Sequence, residues 1–318
     1  MIWLNFVGQD WAYSVAYGPE ALAMDLSLNQ KVADKLREAA DLLHQQGANP
    51  FRVGAYRRAA ETVAGLQRDL RDIVRTAGID GLTALPGIGI GIATAINEIL
   101  RTGRWAQLER LRGTLDPVRL FQTVPGIGEK LAARIHDTLH VDTLEGLEIA
   151  SHDGRLQAVP GVGPRRAAAL RATLASMLGR VGTSRLPRAD GPRVDIILDV
   201  DREYLEAARA ERLPLIAPRR FNPRNEAWLP ILHTDRDDWH FTVLYSNTAR
   251  AHELGRTHDW VVIYFYDDHH QEGQYTVVTE TRGSLINKRV IRGREAECRA
   301  YYARFDTRGA RSQGVLTV

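Results

Sequence analysis

Apolar residues recur every third or fourth position through the first half of the chain and every second position through much of the last third. The first period is that of buried helix faces and the second that of half-buried strands. Val32, Leu36, Ala39, Ala40 and Leu43 predict a helix over 30–46, with Asn29 as its cap and Gly47 closing it. Asn49-Pro50 opens a second helix from Phe51 to Ala64, and a third runs from Asp69 to Thr76 and stops at Gly78. Later, β-rich runs at Trp228–Leu232, Trp239–Tyr245, Trp260–Tyr266, Tyr275–Thr281 and Lys288–Ile291 predict strands bounded by Asn, Asp and Gly. Short helices at Thr248–Leu254 and Glu295–Phe305 complete that half. The expected architecture is multidomain, an all-α N-terminal half followed by an α+β, mostly antiparallel C-terminal domain. Its expected parts are a loosely ordered extension (1–25), two helical units (26–100 and 101–180), a Pro/Gly/Ser/Arg linker (181–193) and the C-terminal domain (194–318).

One phrase occurs three times inside the helical half. Leu85-Pro86-Gly87-Ile88-Gly89 returns as Val124-Pro125-Gly126-Ile127-Gly128 and as Val159-Pro160-Gly161-Val162-Gly163, at spacings of 39 and 35 residues. Each copy leads into an alanine-rich apolar helix. Proline ends the preceding segment, the first glycine supplies a positive φ, and the second lets a foreign backbone come close. The helix N-terminus that follows offers unpaired N–H groups and a positive dipole end to a phosphate. This is the pattern of a helix-hairpin-helix, which holds nucleic-acid backbone without reading bases. A tight turn within a helical bundle would account for a single copy, whereas three copies favour nucleic acid.

Charge supports that choice. Residues 26–186 carry 22 Lys+Arg against 16 Asp+Glu, a net +6, whereas residues 187–318 balance 20 against 20. Only Lys31, Lys35, Lys130 and Lys288 are lysines, which matters because arginine cannot form an imine. The lone Cys298 excludes an intrachain disulfide and a multi-cysteine zinc site. No apolar run is long enough to span a bilayer, and the first 24 residues lack the basic residues of a signal peptide. Met24 is a candidate start, and a cytoplasmic, nucleoid-associated location is expected.

Asn49-Pro50-Phe51-Arg52, Ala55-Tyr56-Arg57-Arg58-Ala59-Ala60, the three hairpins, and the stretch from Asp142-Thr143-Leu144-Glu145 to Gly154-Arg155-Leu156 resemble the front half of bacterial family X DNA polymerases. The resemblance covers about residues 28–178. It implies a small N-terminal domain that binds the 5′-phosphate side of a DNA gap, with Arg52 and Tyr56 at phosphate-pocket positions. It also implies that hairpin carbonyls, those of Leu85 and Ile88 or of Val124 and Ile127, coordinate a monovalent cation (Na+ or K+). Two departures stand out. The position of the lyase lysine in the polymerase β branch is Ala95, and that of a phosphate-binding lysine one turn earlier is Gly91, so 5′-deoxyribose-phosphate lyase activity is not expected. After residue 180 the nucleotidyltransferase domain is not recognisable. Asp199-Val200-Asp201, with Asp195 nearby, offers an Asp-x-Asp, but no Gly-Ser turn precedes it and a helix continues from Arg202. Polymerase activity is not expected either.

The C-terminal half holds several constellations of uncertain chemistry. Asp267-Asp268-His269-His270 has metal-ligand residue types but reads as a hairpin tip. His240, His252 and His258 either meet in a site or serve as ordinary surface and core residues. Glu280-Thr281-Arg282 after Asp259 or Asp267 faintly resembles a metal-dependent nuclease layout, with Arg282 where a lysine would act. Arg219-Arg220-Phe221, Arg250, Arg256, Lys288-Arg289, Arg292 and Arg294 suggest a second basic face, with Trp228 or Trp239 to stack on a base.

The sequence thus points to a sequence-nonspecific DNA-binding protein that prefers gapped, nicked or flapped DNA, with a role in repair. The expected contacts are Gly87, Ile88, Gly89, Gly126, Ile127, Gly128, Gly161, Val162 and Gly163, with Arg52, Tyr56, Arg57, Lys130, Arg165 and Arg166 supplying charge beside them. The alternatives are a DNA-processing enzyme, most plausibly a nuclease, with its site in the C-terminal domain, and an adaptor that recruits a repair partner through that domain.

Overall fold

The computed structural model describes residues 19–178, 191–267 and 272–313, with side chains from Leu28 onward and up to Arg304. Residues 1–18, most of the expected linker, and Asp268 to Gln271 at the hairpin tip lie outside the described residues.

Among the described residues twelve α-helices and six strands are present, with a helical half followed by a sheet-bearing half as expected, and Leu215–Ile216 is a strand beyond the five expected. The helical half comprises α1 (Pro19–Gln45), α2 (Pro50–Ala64), α3 (Leu70–Thr83), α4 (Ile90–Thr102), α5 (Ala106–Leu111), α6 (Pro117–Phe121), α7 (Glu129–Leu139), α8 (Leu144–His152) and α9 (Pro164–Met177). The C-terminal half comprises α10 (Val194–Arg209), β1 (Leu215–Ile216), β2 (Leu229–Arg236), β3 (Trp239–Tyr245), α11 (Ala249–Glu253), β4 (Val261–Tyr266), β5 (Gly273–Thr279), β6 (Arg289–Ile291) and α12 (Glu295–Gln313). The six strands form one antiparallel meander in sequence order.

Two helix boundaries differ from expectation for local reasons. Asn29 is not a cap, because α1 reaches back to Pro19. Its buried amide instead serves the start of α3: Nδ2 donates to Arg68 O (3.0 Å), and Oδ1 accepts from Leu70 N (3.1 Å). Gly78 does break the first helical stretch, with a φ of 61° and a ψ of −148°, but a second stretch follows directly, so α3 continues across the kink to Thr83. Residues 194–209 form a single helix, so Asp195, Asp199 and Asp201 stand on α10.

Apolar side chains gather in two cores. One joins α1–α5 to the sheet and α10, and the other lies among α6–α9. Strand alternation sets the two faces of the sheet. Phe241, Val243 and Tyr245 share a face with Val261, Ile263 and Phe265, the face on which the Tyr204 ring of α10 meets Tyr245 at 4.9 Å. Thr242, Tyr264 and Tyr266 point the other way, onto the helical half.

Candidate nucleic-acid interface

Each glycine phrase builds the same turn. The carbonyl of Leu85 accepts from Ile88 N (3.2 Å), that of Val124 from Ile127 N (3.0 Å) and that of Val159 from Val162 N (3.0 Å). Pro occupies the second position of each turn, and glycine with a φ of 72°, 90° or 87° the third, which is a type II turn. Ile88, Ile127 and Val162 are buried as plugs, while Pro86-Gly87, Pro125-Gly126 and Pro160-Gly161 are exposed. The second glycines, Gly89, Gly128 and Gly163, are the N-caps of α4, α7 and α9, and none of these helices has a side-chain cap. The first N–H groups of α4 and α7, and those of α9 after Pro164, which has none, are therefore without capping side chains. A Cβ built on Gly89, Gly128 or Gly163 would meet nothing within 4 Å. Open space, unpaired donors and a positive dipole end coincide at three places.

The second and third hairpins are tied together. Arg166 Nη2 donates to Gly126 O (3.0 Å), and the Arg134 guanidinium of α7 stands 3.2 Å from where a Cβ on Gly161 would be. Arg166 is thus partly a structural brace, although exposed. Lys130 and Arg165 are exposed in the first turns of α7 and α9. Glu129 is exposed beside Lys130 and places a carboxylate where an anion would approach. Beside the first hairpin stands Arg58, whose Cβ lies 3.6 Å from a Cβ position on Gly87, while its guanidinium is turned back to 3.2 Å from a Cβ position on Gly54. Arg58 was absent from the expected contacts, yet it sits six residues after Arg52, about 120° around α2 from it.

Residues 27–105 match the helix-hairpin-helix domain model, and residues 118–176 match a SAM-like helix-hairpin-helix tandem. The hairpin half is a helix-hairpin-helix region similar to that of family X polymerases. The DNA polymerase/3′-5′ exonuclease PolX of Bacillus subtilis (strain 168) is 32% identical over 132 residues, which is 41% of this chain and 22% of that protein. The chain therefore spans about a fifth of the length of this relative.

Two expected phosphate contacts are located elsewhere. Arg52 and Tyr56 are buried, one helical turn apart, on the face of α2 that meets the sheet. The Arg52 guanidinium lies 4.9 Å from the Tyr266 ring centre and reaches Thr242 Oγ1 at 3.4 Å. Tyr56 donates to Gln107 Oε1 (2.9 Å). Arg57 is exposed and pairs with Asp41 at 3.2 Å. The relay continues inward, with His233 bonded to Thr242 Oγ1 (3.1 Å) and Gln46 Oε1 (3.0 Å). Burial, then the charges of Arg52 and Arg110, hold His233 well below its usual range, so it is neutral.

A second tie between the halves centres on Asp142, in the α7–α8 turn. It accepts from Tyr264 Oη (2.7 Å) and Gln274 Nε2 (3.1 Å) and pairs with His136 Nε2 (2.9 Å). Burial alone would push His136 down, but the carboxylates of Asp137, 3.5 Å from Nδ1, and Asp142 outweigh it and raise the imidazole to about 9. Arg110 stacks on Tyr264 with its Cζ 3.5 Å from the ring centre and pairs with Glu272. The partners that join the two halves lie 122 to 190 residues apart in the chain.

The C-terminal constellations disperse. His240 bonds Asp235 (2.6 Å), His252 bonds Asn247 (2.6 Å), and His258 faces Tyr245. Among the described residues no three His, Cys, Asp or Glu gather as metal ligands. Asp201 and Asp259 both pair with Arg289, and Glu280 pairs with Arg292 and caps Thr281 N. Arg292 and Arg294 are also engaged, with Glu280 and Glu297. Trp239 packs edge-on against Phe265. Among the described residues no helix is long and apolar enough to cross a membrane.

Proposed function

We propose that this chain binds DNA through its sugar-phosphate backbone, without sequence preference, and favours gapped, nicked or flapped DNA in a repair setting. The observation that carries the reading is the threefold one: exposed, uncapped helix N-termini opening onto empty space beside Arg58, Lys130 and Arg165. Such cradles suit phosphates and ignore bases.

Neither lyase nor polymerase chemistry belongs to this reading. Ala95 is buried and Gly91 carries no amine. Lys35 Nζ donates to Gly103 O, at the far end of α4 from the first hairpin and about 20 Å away for a helix of that length. Asp199 and Asp201 of α10 are held by Arg236 of β2 and Arg289 of β6. The hairpin carbonyls suit an alkali cation in donor type, since hard cations take oxygen ligands. Leu85 O and Val124 O each have one lone pair occupied by the turn, and their second would join Ile88 O or Ile127 O around Na+ or K+.

The test is fluorescence anisotropy with 5′-labelled intact, nicked, gapped and flapped duplexes of scrambled sequences, from low to physiological salt. The expected result is binding that weakens steeply with salt, is indifferent to sequence and is tighter for interrupted DNA. Absence of any retained duplex at low ionic strength would overturn the reading.

A further inference from the structure

The loop from Ala217 to Trp228, between β1 and β2, is pinned on both sides. Arg219 N donates to Gly113 O (2.8 Å), in the α5–α6 connection, and Gly113 approaches the loop so closely that a Cβ there would lie 2.5 Å from Ala217 O. Asn247 Nδ2 donates to Arg220 O (2.9 Å) from the end of β3. Asn222 closes the loop on itself through Glu226 O (2.8 Å) and Glu226 N (3.1 Å). Between these anchors Phe221 adopts a φ of 55°, which is unfavourable for a bulky side chain, and its ring is 47% exposed. A ring that cost strain and gains little burial is not explained by packing. The His252 ring backs it at 4.4 Å, and the Arg220 guanidinium stands 5.3 Å from its centre. Burial, then the charge of Arg220, lowers the His252 pKa, so the backing ring is neutral at pH 7. Arg219 is exposed, and among the described residues neither Arg219 nor Arg220 has an ion-pair partner within 4 Å.

We infer that Phe221, backed by His252 and flanked by Arg219 and Arg220, is a stacking platform for an unpaired base of a DNA strand. The inference rests on the backbone-binding reading above and assigns the C-terminal domain a part in it. An aromatic face accepts any base, while neighbouring arginines take the phosphates, which is the usual composition of a single-strand site. The charge of Arg220 is also felt by His136 and Asp137 of α7, eight or nine residues from the cap of the second hairpin. At 1.5 Å per residue that end of α7 lies about 12 Å along the helix axis from Gly128. A strand that leaves Gly128 along α7 would run toward the Arg220 side of the platform once its bases are free of a partner.

The test uses the full chain with 2-aminopurine placed at successive positions of a gap and with a matching intact duplex. The expected result is quenching at one or two gap positions by the wild-type protein. Phe221→Ala and Phe221→Leu should abolish the quenching and weaken gapped-DNA binding roughly 5- to 100-fold. Phe221→Trp should retain both, and duplex affinity should not change in any variant. Gapped-DNA binding and quenching indifferent to Phe221→Leu, or equal losses on gapped and intact DNA, would overturn the platform while leaving the hairpin reading in place. Failure of the wild type to bind intact duplex would overturn both.

Discussion

The two glycines of each hairpin should separate cleanly in a mutational experiment. Gly126 and Gly161 have φ values of 90° and 87°, where an alanine costs about 1–2 kcal/mol of backbone strain. Gly128 and Gly163 have φ values of −86° and −80° with ψ of 173°, conformations open to any residue, and their Cβ positions face empty space. Replacing Gly128 by alanine restricts the unfolded chain, a gain of about 0.4–1 kcal/mol. It also exchanges a tolerated N-cap for a poor one, a loss of similar size. The net effect on stability is close to zero.

The same methyl group should nonetheless harm binding. It stands beside the N–H groups of α7, where a phosphate oxygen would approach, and a hydrogen bond to a charged group contributes about 1.5–3 kcal/mol. Losing one such contact corresponds to roughly 10- to 100-fold in affinity. We expect Gly128→Ala and Gly163→Ala to keep the wild-type melting temperature and lose DNA affinity, and Gly126→Ala and Gly161→Ala to lose both. Thermal melting and anisotropy on the same samples provide the comparison. Wild-type affinity in Gly128→Ala and Gly163→Ala together would refute the idea that these N-termini face phosphate, and an unfolded Gly128→Ala would refute the idea that its surroundings are open.

Lys130→Ala should lower the slope of log affinity against log salt by about one, and an unchanged slope would remove it from the phosphate contacts. Glu129→Gln should tighten DNA binding at low salt, because it removes a carboxylate from the first turn of α7, and no change would mean that the second hairpin does not meet the backbone. Arg52→Ala should lower the melting temperature without altering the salt slope, since the side chain is buried against Tyr266 and Thr242, whereas a slope reduced by one would return it to the phosphate pocket. Asp142→Asn should shrink an alkaline transition and move it to lower pH, since Asp137 still raises the His136 pKa in part. The raised pKa of His136 stabilises the fold fully below about 6.5 and progressively less as pH rises through about 9, a difference of roughly 3 kcal/mol that melting curves across pH 6–10 would report.

What could be read in the sequence was what depends on near neighbours. Val261–Tyr266 and Trp239–Tyr245 emerged within a residue of expectation because β-branched and aromatic residues alternate there between turn formers. The hairpins were legible because Pro and Gly fix φ locally, so three repeats of the phrase dictate three type II turns. The roles of Arg52 and Asn29 were not legible. Asn29 has the residue type of a cap and precedes a run of helical period, but its hydrogen-bond partners lie 39 and 41 residues onward. Arg52 holds a position that resembles a phosphate contact, yet Thr242, 190 residues away, is what it meets. Helical period placed Arg52 and Tyr56 on one face and Arg58 on another. Nothing local announced that a β-sheet would cover the first face.

That sheet also bears on why interrupted DNA should be favoured. The second and third hairpins share one core and are braced by Arg166, whereas the first belongs to another core. Asn97 of α4 donates to Met177 O of α9, and one face of the sheet receives Gln46 and Arg52 from the first unit and Asp142 from the second. The three cradles are consequently held at fixed separations by buried contacts that cannot yield without losing several hydrogen bonds. An intact duplex resists bending, at about 1–6 kcal/mol for 40–90° over 20–30 base pairs, and would have to supply that energy wherever the proposed contacts require it to bend. A nick or gap removes the stacking that makes the duplex stiff, so its two arms can meet separate cradles at little cost. The proposed preference for broken DNA would then rest on rigidity of the protein rather than on any contact with the break itself.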